Sequence, residues 1–286
     1  MSTDPVGGAL ATFAAIERCA DESLPPAILG PVRAAVGAIL GVETVAAPPA
    51  DERAAACVAF AEQFVVDVAG ITAAQRGAMA TAMGNDAFTF VQALYVVDVF
   101  TRARIGFARL GLAVTIPNAG EDSADADLWG LLERFMQQVA LLGALDPLTS
   151  ELVRLRGARV HNCRLCQSRR SVKAIDSAGG AAVLDTLDDQ LLDDRQRAAV
   201  RLADALVTQP RTIDDALVAE ARAHFSDKEL TEMILDVARN AANKIAVAFG
   251  ADAPVVTDGV EFYDIDANGD VVADVEMGLV RAATAR

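Results

Sequence analysis

The sequence predicts an all-α, multihelical protein with a short C-terminal β-hairpin, and three observations carry that expectation. Alanine is abundant, and aromatic residues make up only 5% of the 286 positions, a composition suited to helix. Pro or Gly punctuates the chain at intervals of roughly 15–25 residues, the spacing of packed helices and their turns. Hydrophobic residues reach 53%, ample material for a buried core.

Apolar positions at helical spacing place helices near residues 8–20, 26–41, 51–69, 72–83 and 86–109. A breaker cluster, Ile116-Pro117-Asn118-Ala119-Gly120, then runs into an acidic stretch, so residues 116–126 read as a linker. Further helices follow near 127–142, 147–161, 163–177, 180–187, 193–208, 212–224 and 227–248, the last opened by Ser226-Asp227 as a cap. The tail changes period. Val260 to Asp266 and Val271 to Val275 alternate around Asn268-Gly269, a hairpin signal. Asp264, Asp266 and Asn268 also mimic the opening of a calcium loop, but its twelfth position is Val275 and Glu276 falls one residue late, so a plain hairpin is expected.

The two helical runs resemble each other. Asp51-Glu52-Arg53-Ala54 opens a helix as Asp193-Asp194-Arg195-Gln196 does, and Val97 to Ile105 parallels Val237 to Ile245, about 140 residues later. Leu24-Pro25-Pro26 likewise parallels Leu145-Asp146-Pro147. In this register Val42-Glu43-Thr44-Val45 occupies the place of Cys163-Arg164-Leu165-Cys166. The expected organisation is a helical half over 1–115 without the cysteine pair, the linker, a second half over 127–254 with it, and a tail over 255–286. Chance likeness between Ala-rich helices is the alternative.

A formal charge of −15 and the absence of a Lys/Arg stripe argue against nucleic-acid binding. No apolar run is long enough for a membrane span, and residues 1–8 do not resemble a secretory signal, so a cytoplasmic protein is expected. Four cysteines in such a setting do not read as a disulfide scaffold. Cys19 and Cys57 stand alone among small apolar residues, where they serve as packing.

Cys163 and Cys166 differ, because they stand three apart in an Arg-rich stretch. A thiolate is the reactive form of cysteine, and an Asn162 cap would set both sulfurs in the first turn of a helix whose dipole favours negative charge. Arg170 is four residues after Cys166 and would share its face on a continuous helix, further favouring the thiolate. Two thiols at this spacing can close a disulfide across one turn. A zinc site and inert structural thiols are the alternatives; no second C-x-x-C or His pair completes a zinc tetrahedron. No metal and no cofactor are expected.

Glu151, eleven intervening residues, Cys163, two more, then Cys166 resembles the alkylhydroperoxidase D-like branch of the carboxymuconolactone decarboxylase family. Asp193 to Ala198 with Leu202-Ala203-Asp204, Phe225 to Leu230, and Asn240 to Lys244 look like that family's later helices. The likeness covers about residues 145–250. It implies an all-helical fold, homo-oligomers, and reduction of a hydroperoxide at the expense of a thiol or dithiol reductant. By the same resemblance Cys166 would attack the peroxide, Cys163 would resolve the sulfenic acid, and Glu151 would join a proton relay. The relay's histidine belongs four residues after the second cysteine, where this chain has Arg170, which stays protonated and cannot shuttle a proton. His161 is the nearby titrating candidate; a capping or surface role is its alternative. Two other functions stay open: a redox-sensing or oligomeric protein with weakened turnover, and a decarboxylase-type lyase, for which the cysteine pair has no use.

Overall fold

A computed structural model describes residues 4–42, 48–116, 127–177, 183–184 and 190–273. Most of the linker, the expected helix over 180–187 apart from Val183-Leu184, Glu43 to Val45 and the calcium-loop end at 275–276 lie outside them.

The described chain is mostly helical, as expected. The first run comprises α1 (Pro5–Glu22), α2 (Pro26–Leu40), α3 (Glu52–Asp67), a 3-10 turn (Val68–Gly70), α4 (Ala73–Met83), α5 (Ala87–Tyr95), a π turn (Val96–Phe100) and α6 (Thr101–Arg109). The second comprises α7 (Leu128–Ala140), α8 (Pro147–Val160), the short α9 (Arg164–Gln167) and α10 (Val172–Ile175), and α11 (Asp194–Thr208) with a 3-10 turn (Pro210–Thr212). It closes with α12 (Asp215–His224), α13 (Asp227–Asn240) and α14 (Asn243–Phe249). Among the described residues the longer helices fall in the same order before and after the break, with a 3-10 turn behind both α3 and α11; α9, β1, α10, the 3-10 turn at Gly84–Asp86 and the π turn have no counterpart.

Local capping sets these boundaries. Asp51 and Asp193 accept from the third residue of their helices, and Thr72, Asp193 and Ser226 build full capping boxes. The reading of Ser226-Asp227 as a helix start is therefore correct. The helix expected over 227–248 is split near Ala241-Ala242, and the one expected over 86–109 carries the π turn.

The larger of two apolar clusters among the described residues runs through both halves. Phe13 of α1 stacks on Phe100 of the π turn with ring centroids 4.0 Å apart, and both meet Phe135 of α7. Beneath this aromatic cluster lies a buried ionic one. Arg102 donates to Asp98 at 2.6 Å and to the carbonyls of Val65, Val207 and Thr208, so it ties the ends of α3 and α11 to α6. Lys244 of α14 reaches Asp98 from the other side and lies over the Phe64 ring. Burial raises the Asp98 carboxyl, but Arg102 and Lys244 together outweigh it and hold the group below its ordinary value.

The hairpin forms as expected, from β2 (Glu261–Ile265) and β3 (Val271–Ala273), antiparallel. A third strand was not foreseen. β1 (Arg169–Ser171) pairs in parallel with β2, in the register Arg169 with Glu261 and Ser171 with Tyr263. This corrects the helix expected over 163–177. The chain leaves α9 after one turn because the Ser168 carbonyl accepts from Glu261 N at 2.8 Å instead of continuing the helical ladder.

Candidate functional site

Three residues make the turn that carries the cysteines. α8 ends at Val160 with His161 as its C-cap, and Asn162 adopts a left-handed conformation (φ 48°) that reverses the chain. Asn residues tolerate that region, so the sequence suits the turn. The cap of α9 is Cys163, not Asn162: its sulfur accepts from Cys166 N at 3.3 Å. The cap expected at Asn162 is thus corrected by one position, because Asn162 is spent on the reversal.

Cys163 and Cys166 are joined by a disulfide, with Cα atoms 5.4 Å apart. Cys163 is 1% exposed, whereas Cys166 is only partly buried. The two residues therefore differ in exposure: Cys163 is buried, and Cys166 is half-buried against the edge of the apolar core. Cys19 and Cys57 are unpaired, and burial raises both thiols, Cys57 to about 11.

Glu151 is 2% exposed on α8 and receives four hydrogen bonds. Arg154 forks onto it at 2.6 and 2.7 Å, the Tyr263 hydroxyl donates at 2.7 Å, and Ser171 N at 3.0 Å. Arg154 also donates to the carbonyl of Cys166 at 2.9 Å and to that of Arg169 at 2.8 Å. Glu151 and the cysteine turn are accordingly connected through one guanidinium. A cavity of about 330 Å³ opens beside this group, lined among others by Glu151, Arg154, Asp236, Arg239 and Tyr263. Neither cysteine is among its lining residues. Burial raises the Asp236 carboxyl there, with Glu151 adding to the effect.

Arg170 does not share a helical face with Cys166, which corrects that expectation. It sits in β1, buried, and its Nη1 donates to the carbonyls of Gln167 and Arg169 at 2.7 and 2.9 Å. The other arginines of the stretch are offset by carboxylates, Arg164 by Asp252 and Arg169 by Glu261, so the field at the sulfurs is weaker than their number implies. His161 is buried, its Nδ1 lies 2.9 Å from the Asn243 side-chain oxygen, and its ring lines the same small void as Asp98, Arg102 and Lys244. Burial and then the Lys244 charge push its pKa down to about 3, so the ring is neutral at ordinary pH.

Arg154, Tyr263 and Asp252 were missed in the sequence. Arg154 lies three residues after Glu151, the spacing of a helical ion pair, and could have been found. Tyr263 and Asp252 reach the site from 112 and 88 residues away, and nothing in the local pattern marks them. Among the described residues no group of three or more His, Cys, Asp or Glu could hold a metal ion, and no helix is long and apolar enough to cross a membrane. Asp264 and Asp266, the start of the calcium-like loop, are engaged with Lys173 and with the backbone of Asn268 and Asp270.

No protein-family model matches the chain, and no solved structure matches it significantly. Relatives by sequence do exist. The chain is 42% identical over 243 residues to the uncharacterized proteins Rv2313c and MT2376 of two Mycobacterium tuberculosis strains, spanning 82% of this chain and 85% of each relative. It is also 36% identical over 93 residues to the uncharacterized protein YnjA of Escherichia coli, across 31% of this chain and 51% of that protein. Identity at that level over most of both chains makes the assignment: this protein belongs to one family with Rv2313c of Mycobacterium tuberculosis.

Proposed function

We propose that the chain is a thiol oxidoreductase of the alkylhydroperoxidase D-like type, in which Cys166 reduces a hydroperoxide and Cys163 closes the disulfide. The reading rests chiefly on one observation, a disulfide within a single turn between a buried cysteine and a half-buried one. The less buried Cys166, as thiolate, attacks one peroxide oxygen; the S–O bond forms, the O–O bond breaks, and the departing alkoxide takes a proton to leave as an alcohol. Cys163 then attacks the sulfenic sulfur, the S–S bond forms, and hydroxide leaves as water with the Cys163 proton. A dithiol returns two electrons and two protons. Homo-oligomer formation and a cytoplasmic setting belong to the same reading.

A redox sensor with weak turnover is a second reading, and one observation favours it. Both residues considered for proton transfer are held by other partners, Glu151 by Arg154 and Tyr263 and His161 by Asn243, and Arg170 at the relay position donates to carbonyls.

Both are tested by adding peroxide to the reduced protein and counting thiols and residual peroxide. The expected result is loss of two thiols per peroxide, abolished in Cys166→Ser. Cys163→Ser should stop at a sulfenic acid that a dimedone probe captures. Sustained consumption with dithiothreitol supports the enzyme, a single turnover supports the sensor, and thiols that survive peroxide refute both.

A further inference from the structure

The short helix α9 offers three backbone donors in its first turn, and only one of them meets a cysteine. Arg164 N donates to the Asp252 carboxylate at 2.9 Å, Leu165 N to the Asp252 carbonyl at 2.9 Å, and Cys166 N to the Cys163 sulfur at 3.3 Å. The Asp252 carboxylate also binds the Arg164 side chain, Nη2 at 2.8 Å and Nε at 3.2 Å. Asp252 reaches this place because Gly250 ends α14 in the left-handed region (φ 69°) and turns the chain back toward the cysteines. It is almost wholly buried.

We propose that Asp252 is a positioning residue for the cysteine pair: its fixed negative charge and its hold on Arg164 keep Cys163 and Cys166 a weaker oxidant than the arginine-rich segment would otherwise make them.

This rests on the redox reading above. The Asp252 carboxylate occupies one backbone donor of α9, Arg164 N, and the Arg164 cation, both of which would otherwise favour a thiolate in that turn. The other charges around the pair are already closed on each other. Arg154 is matched by Glu151 and Arg169 by Glu261; Arg170 donates to carbonyls, and His161 is neutral on Asn243. Among these groups Asp252 is the one carboxylate that accepts from the backbone of the cysteine helix. Its charge is secure, because the hydrogen bond from Arg164 holds its pKa below the ordinary range.

The test compares two variants with opposite expectations. Asp252→Asn retains an oxygen for Arg164 N but removes the charge and releases Arg164. The more acidic thiol should become more acidic by about one unit, which is about tenfold more thiolate at neutral pH. Measured above that thiol's pKa, where the thiolate is the reduced form, the equilibrium with glutathione should move about tenfold toward the thiols. Arg164→Gln removes the cation and leaves Asp252 uncompensated, so both readouts should move the other way, by less because Arg164 is 55% exposed. Site-resolved alkylation against pH, read by mass spectrometry, gives the first readout, and circular dichroism confirms that both variants fold. A purely structural Asp252 would loosen the turn in both variants and move them together; that result, or no movement in either, overturns the proposal. Failure of the unaltered pair to exchange with glutathione would sink the redox reading instead, while the alkylation profiles would still report on Asp252.

Discussion

At the scale of single residues, the cysteine pair and Glu151 were legible because their spacing along the chain is itself the signal. Their partners were not. Tyr263 and Asp252 contribute through contacts that span 112 and 88 residues, and a sequence window holds no trace of such a pairing. His161 shows the complementary failure: its closeness to Cys163 suggested chemistry, whereas the fold turns it toward Asn243 and Lys244. The consequence is a stability effect. The folded ring stays neutral down to about 3, while the unfolded imidazole protonates near 6.5. Its contribution is therefore complete above the unfolded value and is lost as pH falls from about 6.5 toward 3. Between pH 7 and about pH 5 that loss amounts to about 2 kcal/mol. Urea unfolding at those two pH values should show a drop in His161→Gln that is smaller by about this amount; equal drops would contradict the burial assigned to the ring.

At the scale of elements, helices announced themselves through caps and period, both local properties. The hairpin did so through Asn268-Gly269. β1 could not, because three residues acquire strand character only from the edge that β2 offers them, 92 residues along the chain. Gly269 shows how the hairpin is anchored. It closes the turn over Asp266 with φ 88°, and a Cβ there would overlap the backbone of Gln137 in α7. Gly269→Ala should therefore cost at least about 1 kcal/mol and undock the hairpin tip. Hydrogen exchange would register this as faster exchange across 261–273 with protection retained in α8 and α13. Unchanged exchange would mean that the hairpin does not rest on α7.

At the scale of the whole molecule, the helices before and after the break were visible in the sequence as caps and period, but the way the two runs join was not. They meet through a shared aromatic core and through Asp98, whose two cationic partners come from α6 and from α14, the latter 146 residues away. Asp98→Asn leaves Arg102 and Lys244 buried against each other. The expected loss is about 3–5 kcal/mol in urea unfolding, since breaking a buried ion pair strands its partners. A loss well under 1 kcal/mol would mean that solvent reaches the network. The same architecture seats the cysteine turn between α8, the residues after α14 and the hairpin, so the redox reading depends on elements from both ends of the second half. The most direct test is mass spectrometry of the fully reduced protein before and after one equivalent of hydroperoxide. The account predicts loss of two hydrogens, with the new bond mapped to Cys163 and Cys166 and with Cys19 and Cys57 unchanged. Oxidation confined to Cys19 or Cys57, or none at the pair, would contradict it.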